Sequence, residues 1–403
     1  MVSPLGVGLA QHWDAVRAGR SAVARVERLA ALGLPASMGA AVSAELLQPH
    51  LGRLPKKQQK LYNRATLLAM LAASLAMEDA GLTAGAGDPT RLGVLLGVNA
   101  LAWDLAAMTG YLVAAESKAA PGTLDMALAN RFCMHNINPL DFSMKTLPNL
   151  NAGHIAIAYD AQGFCRALTE GNVGGARAVG DAYRLIGEGD IDVALCGGAD
   201  AQLEELLFAN YWGTGVIASD DGSHPGYVPG EGSGLLVLEE AEHARARGAR
   251  LHGEIVGFAS TAGEGQWATH DDATRQAERL VRAIDAAVAE AGATPDVVSL
   301  HGDGIPVHDH AEAIAMARVF GRGADAMPRL RQKRLHADLG AAASPVELLA
   351  CSAAIAHATL PAVVAAGPPE RPAPLRDALV ISLGLFGECV ALILRGLGGD
   401  GAH

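Results

Sequence analysis

The segment from Gly163 to Ala182 reads G-F-C-R-A-L-T-E-G-N-V-G-G-A-R-A-V-G-D-A and contains the clearest structural signal in the chain. A glycine-rich turn leads into an apolar stripe at helical spacing, which predicts a helix over 176–188. The side-chain oxygen of Asn172 is suitably placed to accept a hydrogen bond from the first turn, so Asn172 is predicted to cap this helix. A predicted strand over 192–197 follows and ends in two glycines.

The same alternation of helices and strands extends on both sides of this segment. Upstream lie a predicted helix over 60–81 and a predicted buried strand over 91–98. Downstream, a strand over 234–239 precedes a charged helix over 239–250. Strands that alternate with helices indicate a mostly parallel sheet covered on both faces, and hence an α/β protein.

The C-terminal part of the chain repeats this pattern and indicates an internal duplication. Its predicted elements are strands over 253–259, 297–300, 379–383 and 390–395 and helices over 274–291 and 347–357. We therefore expect two similar halves, 1–245 and 246–403, joined at the charged helix.

Composition excludes several classes of function. Of the 403 residues, 50% are hydrophobic and 18% are charged, which is typical of a folded protein with a large core. The net charge of −12 argues against nucleic acid or an anionic membrane as a partner. The five cysteines are scattered without a C-x-x-C pair, which indicates reduced thiols in a cytoplasm and no zinc site.

Five segments, in order, resemble motifs of the β-ketoacyl synthase family. The segment 163–182 aligns without a gap with that family's nucleophile turn, G-P-x-x-x-x-x-T-A-C-x-x-G-x-x-A-x-G-x-A. The others are Y-V-P-G-E-G-S-G over 227–234, H-G-D-G-I-P-V-H-D-H-A-E over 301–312, G-A-A-A-S-P-V-E over 340–347 and G-L-F-G over 384–387. The resemblance implies a thiolase-like fold, in which two similar βαβ halves pack as a five-layer αβαβα arrangement.

The resemblance places Asn172 on the catalytic cysteine of the family. Condensation there needs a thiolate to accept the acyl chain, and two imidazoles to assist the chemistry. An amide cannot form a thioester. His301 matches the first of the two histidines.

The second histidine motif, K-S-x-x-G-H-x-x-G, is not preserved. With its last glycine fixed at Gly340, the lysine falls on Gln332 and the histidine falls on Ala337, while Lys333 and His336 each lie one residue away. We therefore expect no catalytic residue and a degenerate site, marked by Asn172, His301, Ala337 and His336.

Chain-length factors are the class of the family that this pattern resembles. They lack the active cysteine and pair with an active ketosynthase subunit as a heterodimer, which builds polyketides, including polyene-type chains, on an acyl carrier protein. Their commonest residue at the cysteine position is Gln, and this chain departs from that with Asn172. The resemblance implies a transferase complex in the cytoplasm whose partners are the ketosynthase, the carrier protein and the growing chain.

The expected role of such a subunit is geometric, because its side chains set the floor of an acyl tunnel at the dimer interface. The segment 99–149 is longer than its counterpart in ordinary ketosynthases and rich in bulky side chains. Phe142 is the first candidate for the tunnel floor or interface, followed by Met144, Tyr111, Trp103 and Met108. The residues 192–199 and the segment before Asn172 are expected to form the pairing edge.

Two alternatives from other functional classes stay open. In one, the chain is an active thiolase-fold acyltransferase that uses a non-standard nucleophile such as Cys165, assisted by His301. In the other, it is a module that only binds an acyl chain or a carrier protein. No cofactor is expected. No metal is expected either, because His308, Asp309 and His310 would point alternately apart on a strand.

The start of the chain carries a further expectation. The resemblance places a strand just upstream of Val2. The sequence leaves open whether that strand is missing or whether the true start lies earlier.

Overall fold

The computed structural model describes residues 1–85, 87–99, 105–324, 326–361, 371–372 and 375–397. The strands are β1 (Val2–Ser3), β2 (Gly6–Val7), β3 (Ala24–Arg25), β4 (Met38–Gly39), β5 (Leu92–Val98), β6 (Cys165–Leu168), β7 (Val193–Ala201), β8 (Glu231–Glu239), β9 (Glu254–Thr261), β10 (Val297–Ser299), β11 (Arg329–Leu330), β12 (Thr359–Leu360), β13 (Arg371–Pro372), β14 (Asp377–Leu383) and β15 (Cys389–Arg395). The α-helices are α1 (Leu9–Arg17), α2 (Glu27–Ala30), α3 (Ala44–Leu47), α4 (Lys56–Gln59), α5 (Arg64–Asp79), α6 (Leu105–Ala115), α7 (Met126–Asn136), α8 (Pro139–Thr146), α9 (Asn149–Tyr159), α10 (Gly174–Gly187), α11 (Glu205–Gly213), α12 (Ala241–Ala246), α13 (Ala273–Ala291), α14 (Pro306–Phe320), α15 (Lys333–His336) and α16 (Ala343–Ala356).

The N-terminal sheet has the strand order β2-β1-β8-β7-β5-β6. Strand β5 pairs parallel with both β6 and β7, whereas β7 and β8 form a long antiparallel ladder. The sheet is thus mixed rather than mostly parallel, because β8 returns directly beside β7. Strand β7 has a partner on each side, and β6 lies at the edge.

The C-terminal sheet repeats this arrangement with the order β11-β10-β14-β15-β9. Strand β10 pairs parallel with β11 and with the central strand β14, and β14, β15 and β9 continue antiparallel. The two sheets therefore share one plan, as expected of duplicated halves. The N-terminal sheet draws its strands from 2–239, and the C-terminal sheet draws its strands from 254–395.

Helices cover both sheets and lie between them. Helices α5 and α9 pack on the outer face of the N-terminal sheet, and α13 and α14 pack on the C-terminal sheet. Helices α10 and α16 contact strands of both sheets, and their apolar side chains form the central core. These five layers confirm the αβαβα thiolase-like fold.

The buried elements agree with the sequence within a few residues. Helix α5 begins later than predicted, because Asn63 caps it by accepting a hydrogen bond from the Thr66 amide. The predicted charged helix over 239–250 is shorter in the structure, where α12 follows the last strand of the N-terminal sheet along the chain and precedes the first strand of the C-terminal sheet. None of the described helices is both long enough and apolar enough to cross a membrane.

Candidate functional site

Asn172 lies in the short 3-10 turn that leads into α10, and its side chain is buried. It does not cap the helix, contrary to the sequence-based prediction, because Val173 occupies the cap position without any side-chain hydrogen bond. Instead its Nδ2 donates to Oδ2 of Asp338 at 3.4 Å, and its carbonyl accepts from Ser382 Oγ at 3.3 Å. The amide is thus tied across the interface between the two halves.

Glycine permits the close approach that brings these halves together. A Cβ placed on Gly175 would lie 1.9 Å from the Ala341 carbonyl oxygen. The start of α10 therefore packs directly on the 3-10 turn Gly340–Ala342, which follows Asp338. This backbone contact sets Asn172 against Asp338.

Asp338 occupies the position that we assigned to Ala337 from the sequence. Its Oδ1 accepts a hydrogen bond from Gly340 N at 2.7 Å, and its Oδ2 accepts from Asn172. Ala337 lies beside the site but has a positive φ of 63° and contributes only its backbone. The group opposite Asn172 is therefore a carboxylate.

A buried ion pair favours placing the second histidine position of the motif at Asp338, one residue after Ala337. Lys333 Nζ lies 2.8 Å from Glu347 Oε1, and both side chains are almost fully buried. Burial would lower the pKa of Lys333, but the Glu347 carboxylate raises it, so the ammonium stays charged at neutral pH. With Lys333 as the motif's lysine, the motif's own spacing puts the second histidine position on Asp338. The neighbouring Gln332 instead donates to Ser299 Oγ and the Glu347 carbonyl.

His336 does not replace the missing histidine. Its Nδ1 contacts the carbonyl oxygen of Ala337 at 2.7 Å, and its ring lies 5.9 Å from the ring of His12. Burial lowers the pKa of His336 to about 3, so the imidazole is neutral. It belongs to a packed region between α1 and α15.

His301 follows β10 in a turn that Glu312 holds in place. The two carboxylate oxygens of Glu312 accept from the amides of His301 and Gly302 at 2.6 and 3.0 Å. The His301 Nε2 lies 3.1 Å from Oδ2 of Asp303. Burial and the nearby Lys333 ammonium lower the pKa of His301, so its imidazole is neutral.

Asp303 also binds His308, and the three side chains form a buried cluster. The same Oδ2 lies 2.8 Å from His308 Nδ1. Burial alone would raise the pKa of Asp303, but His308 and His301 hold it well below its ordinary value. Burial likewise opposes charge on His308, yet the Asp303 carboxylate raises its pKa. Asp303 and His308 thus form an ion pair, and His301 is held beside it.

The cluster of His301, Asp303 and His308 has the donor types of a metal site, since its ligand atoms lie within 4.8 Å of one another. A metal-bound histidine usually donates its second nitrogen to an acceptor. Within the described residues, His301 Nδ1 and His308 Nε2 have no such partner. A single carboxylate oxygen contacts both imidazoles at hydrogen-bond distance, which fits an ion pair better than a metal centre. Asp309 and His310 take no part in it.

Four of the five cysteines lie in environments that do not activate a thiol. Cys165 is exposed on the edge strand β6, and partial burial raises the pKa of its thiol. Burial raises the pKa of Cys351 and Cys389 to about 12 and also raises the pKa of Cys196. Reactive thiols have lowered pKa values, so these environments are the reverse of an activated cysteine.

The candidate tunnel residues lie on the helices that follow β5. Tyr111 and Met108 are half-buried on α6, and the Tyr111 ring meets Phe132 edge-on at 6.0 Å. Phe142 and Met144 are half-buried on α8. Trp103 lies outside the described residues.

The surface around these helices is unusually apolar. Nine large hydrophobic side chains of the described residues are exposed, and eight of them lie between residues 112 and 164. They are Leu112, Val113, Leu124, Met126, Met134, Leu147, Ile157 and Phe164, which we call the apolar face. The edge strand β6 immediately follows Phe164. An apolar face of this kind beside a strand edge that has no partner among the described residues is typical of an interaction surface.

Residues 1–244 match the Beta-ketoacyl synthase, N-terminal domain, and residues 252–366 match the Beta-ketoacyl synthase, C-terminal domain. The chain therefore belongs to the β-ketoacyl synthase family. The tetracenomycin polyketide synthase ketoacyl synthase beta subunit of Streptomyces glaucescens is 30% identical over 421 residues, which cover 98% of this chain and 96% of that protein.

Two solved structures share the fold over nearly their whole length. The ishigamide ketosynthase/chain length factor has a TM-score of 0.79 and 25% sequence identity to this chain. The alignment covers 98% of this chain and 97% of that one. The second structure is a type II polyketide synthase acyl-carrier protein in complex with its ketosynthase bound to the hexaketide. The matched chain has a TM-score of 0.81 and 24% sequence identity, and the alignment covers 98% of this chain and 97% of that one. The chain is thus similar to ketosynthase and chain-length-factor subunits of type II polyketide synthases.

Proposed function

We propose that this chain is a non-condensing, chain-length-factor subunit that pairs with an active ketosynthase. The observation that carries the proposal is Asn172, an amide hydrogen-bonded to Asp338 at the position where the family carries its acyl group on a cysteine. A carboxamide does not displace a thiolate from an acyl thioester, so this site cannot be loaded as the family's cysteine is.

The rest of the site also lacks what decarboxylative condensation requires. The enolate that forms would need neutral or cationic donors nearby. Asp338 instead places a carboxylate beside Asn172. The Nε2 atom of His301 already contacts the Asp303 carboxylate and is not available to the enolate. The ammonium of Lys333 is paired with Glu347. The site therefore holds the two halves together rather than stabilising a developing anion.

The pairing surface is proposed to be the apolar face together with β6. Strand β7, which we expected to take part, has both edges paired and cannot accept another strand. Strand β6 is paired only with β5 among the described residues, and β6 follows Phe164 directly. Covering this face with a second subunit would bury its apolar side chains and complete the sheet edge.

Self-pairing through β6 is disfavoured by charge. Arg166 lies in the middle of this four-residue strand with a half-exposed side chain, 3.6 Å from Asp181. Any two-fold antiparallel pairing of so short a strand brings Arg166 close to its own copy, and like charges across strands are destabilising. A different subunit can avoid this repulsion, which favours a heterodimer.

Co-expression with a ketosynthase that has an intact cysteine and two histidines, encoded by a neighbouring gene, tests the proposal. We expect the two chains to co-purify and to make polyketide on an acyl carrier protein only together. Replacing the partner's cysteine with Ala should abolish product, whereas Asn172→Ala in this chain should leave the product in place. Product from this chain alone would contradict the proposal.

Phe142 is proposed to limit chain length. In Phe142→Ala, the removed ring leaves room at the tunnel floor, so the complex should release a product longer by at least one extension unit, measured by mass spectrometry. Phe320→Ala is the matched control, since Phe320 is also half-buried on a helix but lies at the end of α14. Unchanged products for Phe142→Ala and for alanine variants of Met144, Tyr111, Trp103 and Met108 would remove the tunnel-floor role.

A further inference from the structure

Helix α8 carries Phe142 and Met144, yet apolar packing does little to hold it. Among its described side chains, those of 142–145 are half-buried and only that of Thr146 is buried. None of these described side chains belongs to a buried apolar cluster of the core. Polar contacts therefore have the larger part in fixing this helix.

The C-terminal end of α8 is tied to α5 by Asn63. The Asn63 Nδ2 donates to the carbonyl oxygen of Lys145 at 2.6 Å. The last carbonyl groups of a helix have no partner within it, so a side-chain donor at this place satisfies one of them. On the other side, Asn63 Oδ1 accepts from the Thr66 amide at 2.7 Å and caps α5. One side chain thus joins the end of α8 to the start of α5.

The residues behind Asn63 connect this tie to the core. Thr66 and Asn151 are 1% and 3% exposed, and Thr66 Oγ1 contacts Oδ1 of both Asn63 and Asn151. Asn151 Nδ2 in turn donates to the carbonyl oxygen of Pro148, two residues after α8, at 3.1 Å. Since α5 and α9 pack on the N-terminal sheet, these contacts join the end of α8 to a buried framework.

Phe142 lies close to the tied end of its helix. Thr146 Oγ1 donates to the Phe142 carbonyl at 2.7 Å, and the Leu147 amide donates to the Ser143 carbonyl at 3.3 Å. Phe142 is three residues before the carbonyl group that Asn63 holds, which is less than one helical turn. A shift of this end of α8 would therefore move the Phe142 ring with it.

We propose that Asn63 is a positioning residue for product length. Its hydrogen bond to Lys145 fixes α8, and α8 sets the depth at which Phe142 limits the acyl tunnel. This role rests on the tunnel-floor function proposed above for Phe142. Without the bond, a growing apolar chain displaces α8 at a lower cost, and the pair releases a larger share of longer products.

The variant Asn63→Asp separates the tie to α8 from the cap of α5. Aspartate caps helices as well as asparagine does, so α5 keeps its cap. A carboxylate has no hydrogen to donate to Lys145, and it would face the negative end of α8. Asn63→Ser also keeps a cap but has a shorter side chain without the amide, and it repeats the test without a new charge.

Asn149→Asp is the matched control for the added charge. Asn149 is exposed at the start of α9, which follows α8 along the chain. It therefore receives the same chemical change near α8, at a position outside the tie that Asn63 makes.

Each variant is co-expressed with the ketosynthase, and the products are measured by mass spectrometry. We expect Asn63→Asp and Asn63→Ser to raise the share of products longer by one or more extension units about fivefold, the ratio expected from the net contribution of one hydrogen bond. Hydrogen exchange of the co-purified pair should be at least about fivefold faster at the amides of 145–147 and unchanged in α5. Co-purification, total product and melting temperature should stay as in the unchanged pair, and Asn149→Asp should match it throughout.

Phe142→Ala in the same assay distinguishes failure of this role from failure of the tunnel floor. Longer products from Phe142→Ala, but from neither variant of Asn63, would overturn the role of Asn63 and leave the tunnel floor in place. Unchanged products from all three would remove both. Longer products from Asn63→Asp without Asn63→Ser, or from Asn149→Asp as well, would assign the effect to charge and overturn the role. Loss of co-purification in the Asn63 variants would overturn it too, since Asn63 would then support the fold or the interface.

Discussion

Replacing Lys333 with Met should lower the free energy of unfolding by about 3–5 kcal/mol, the cost of leaving one member of a buried ion pair without its partner. Lys333 and Glu347 lie 2.8 Å apart, with side chains 4% and 0% exposed. Without the ammonium, Glu347 must be buried as an unpaired carboxylate or take up a proton. Urea denaturation of the purified chain measures the loss.

Two further variants separate the ion pair from its surroundings. The double variant Lys333→Met/Glu347→Leu should recover most of the lost stability, because a hydrophobic pair of similar volume removes the unpaired charge. Lys118→Met, at an exposed position, should change stability by no more than about 0.5 kcal/mol. A loss below about 1 kcal/mol for Lys333→Met would show that the pair does not hold α15 to α16.

Phe164→Asp should weaken the proposed pairing with a ketosynthase subunit at least about thirtyfold, because a carboxylate would be buried within the proposed apolar interface. Phe164 is 39% exposed beside β6, and its carbonyl oxygen accepts a hydrogen bond from Val94, which the substitution leaves intact. The stability of the isolated chain should change little. Affinity measured by surface plasmon resonance tests the expectation.

Phe386→Asp is the matched control for this measurement. Phe386 is 47% exposed but lies in the C-terminal half, where its ring packs on Trp267. It should leave the affinity within about threefold, since it lies outside the apolar face. If the two variants weaken pairing equally, or if neither weakens it, the proposed pairing surface is wrong.

The sequence predicts the fold well where burial imposes a pattern. The fully buried strands β5 and β7 are visible as apolar runs, and the amphipathic helix α13 agrees to one residue at its start. The short edge strand β6 escaped prediction, because two of its four residues are exposed and it carries no alternation. Helix α6 also escaped prediction, because it is apolar on all sides and so shows no polar face at helical spacing. Among its residues only Ala115 is buried.

The degenerate site was predicted only in part. Asn172 and His301 were assigned by spacing, and the side chains of both are buried. Asp338 was missed because the second histidine motif could be anchored on either of two positions that differ by one residue. The contact between Lys333 and Glu347 favours anchoring the motif on Lys333, and such a contact exists only in three dimensions.

Asp303 was missed for a related reason. From the sequence we expected His308, Asp309 and His310 to point alternately apart on a strand, but residues 306–320 form helix α14. Pro306 in its first turn was a signal for that helix. The helix points His308 back at Asp303, five residues earlier, and leaves His310 out of the cluster.

The acyl-loading state of this chain is the quantity on which the proposal depends most. The co-purified pair is incubated with an acylated carrier protein, and the intact mass of each subunit is recorded. We predict that the ketosynthase gains one acyl group at its cysteine and that this chain gains none. This chain should also stay unacylated when the ketosynthase cysteine is replaced with Ala. An acyl adduct on this chain, at Cys165 or any other residue, would contradict the account of a subunit that shapes the product without carrying it.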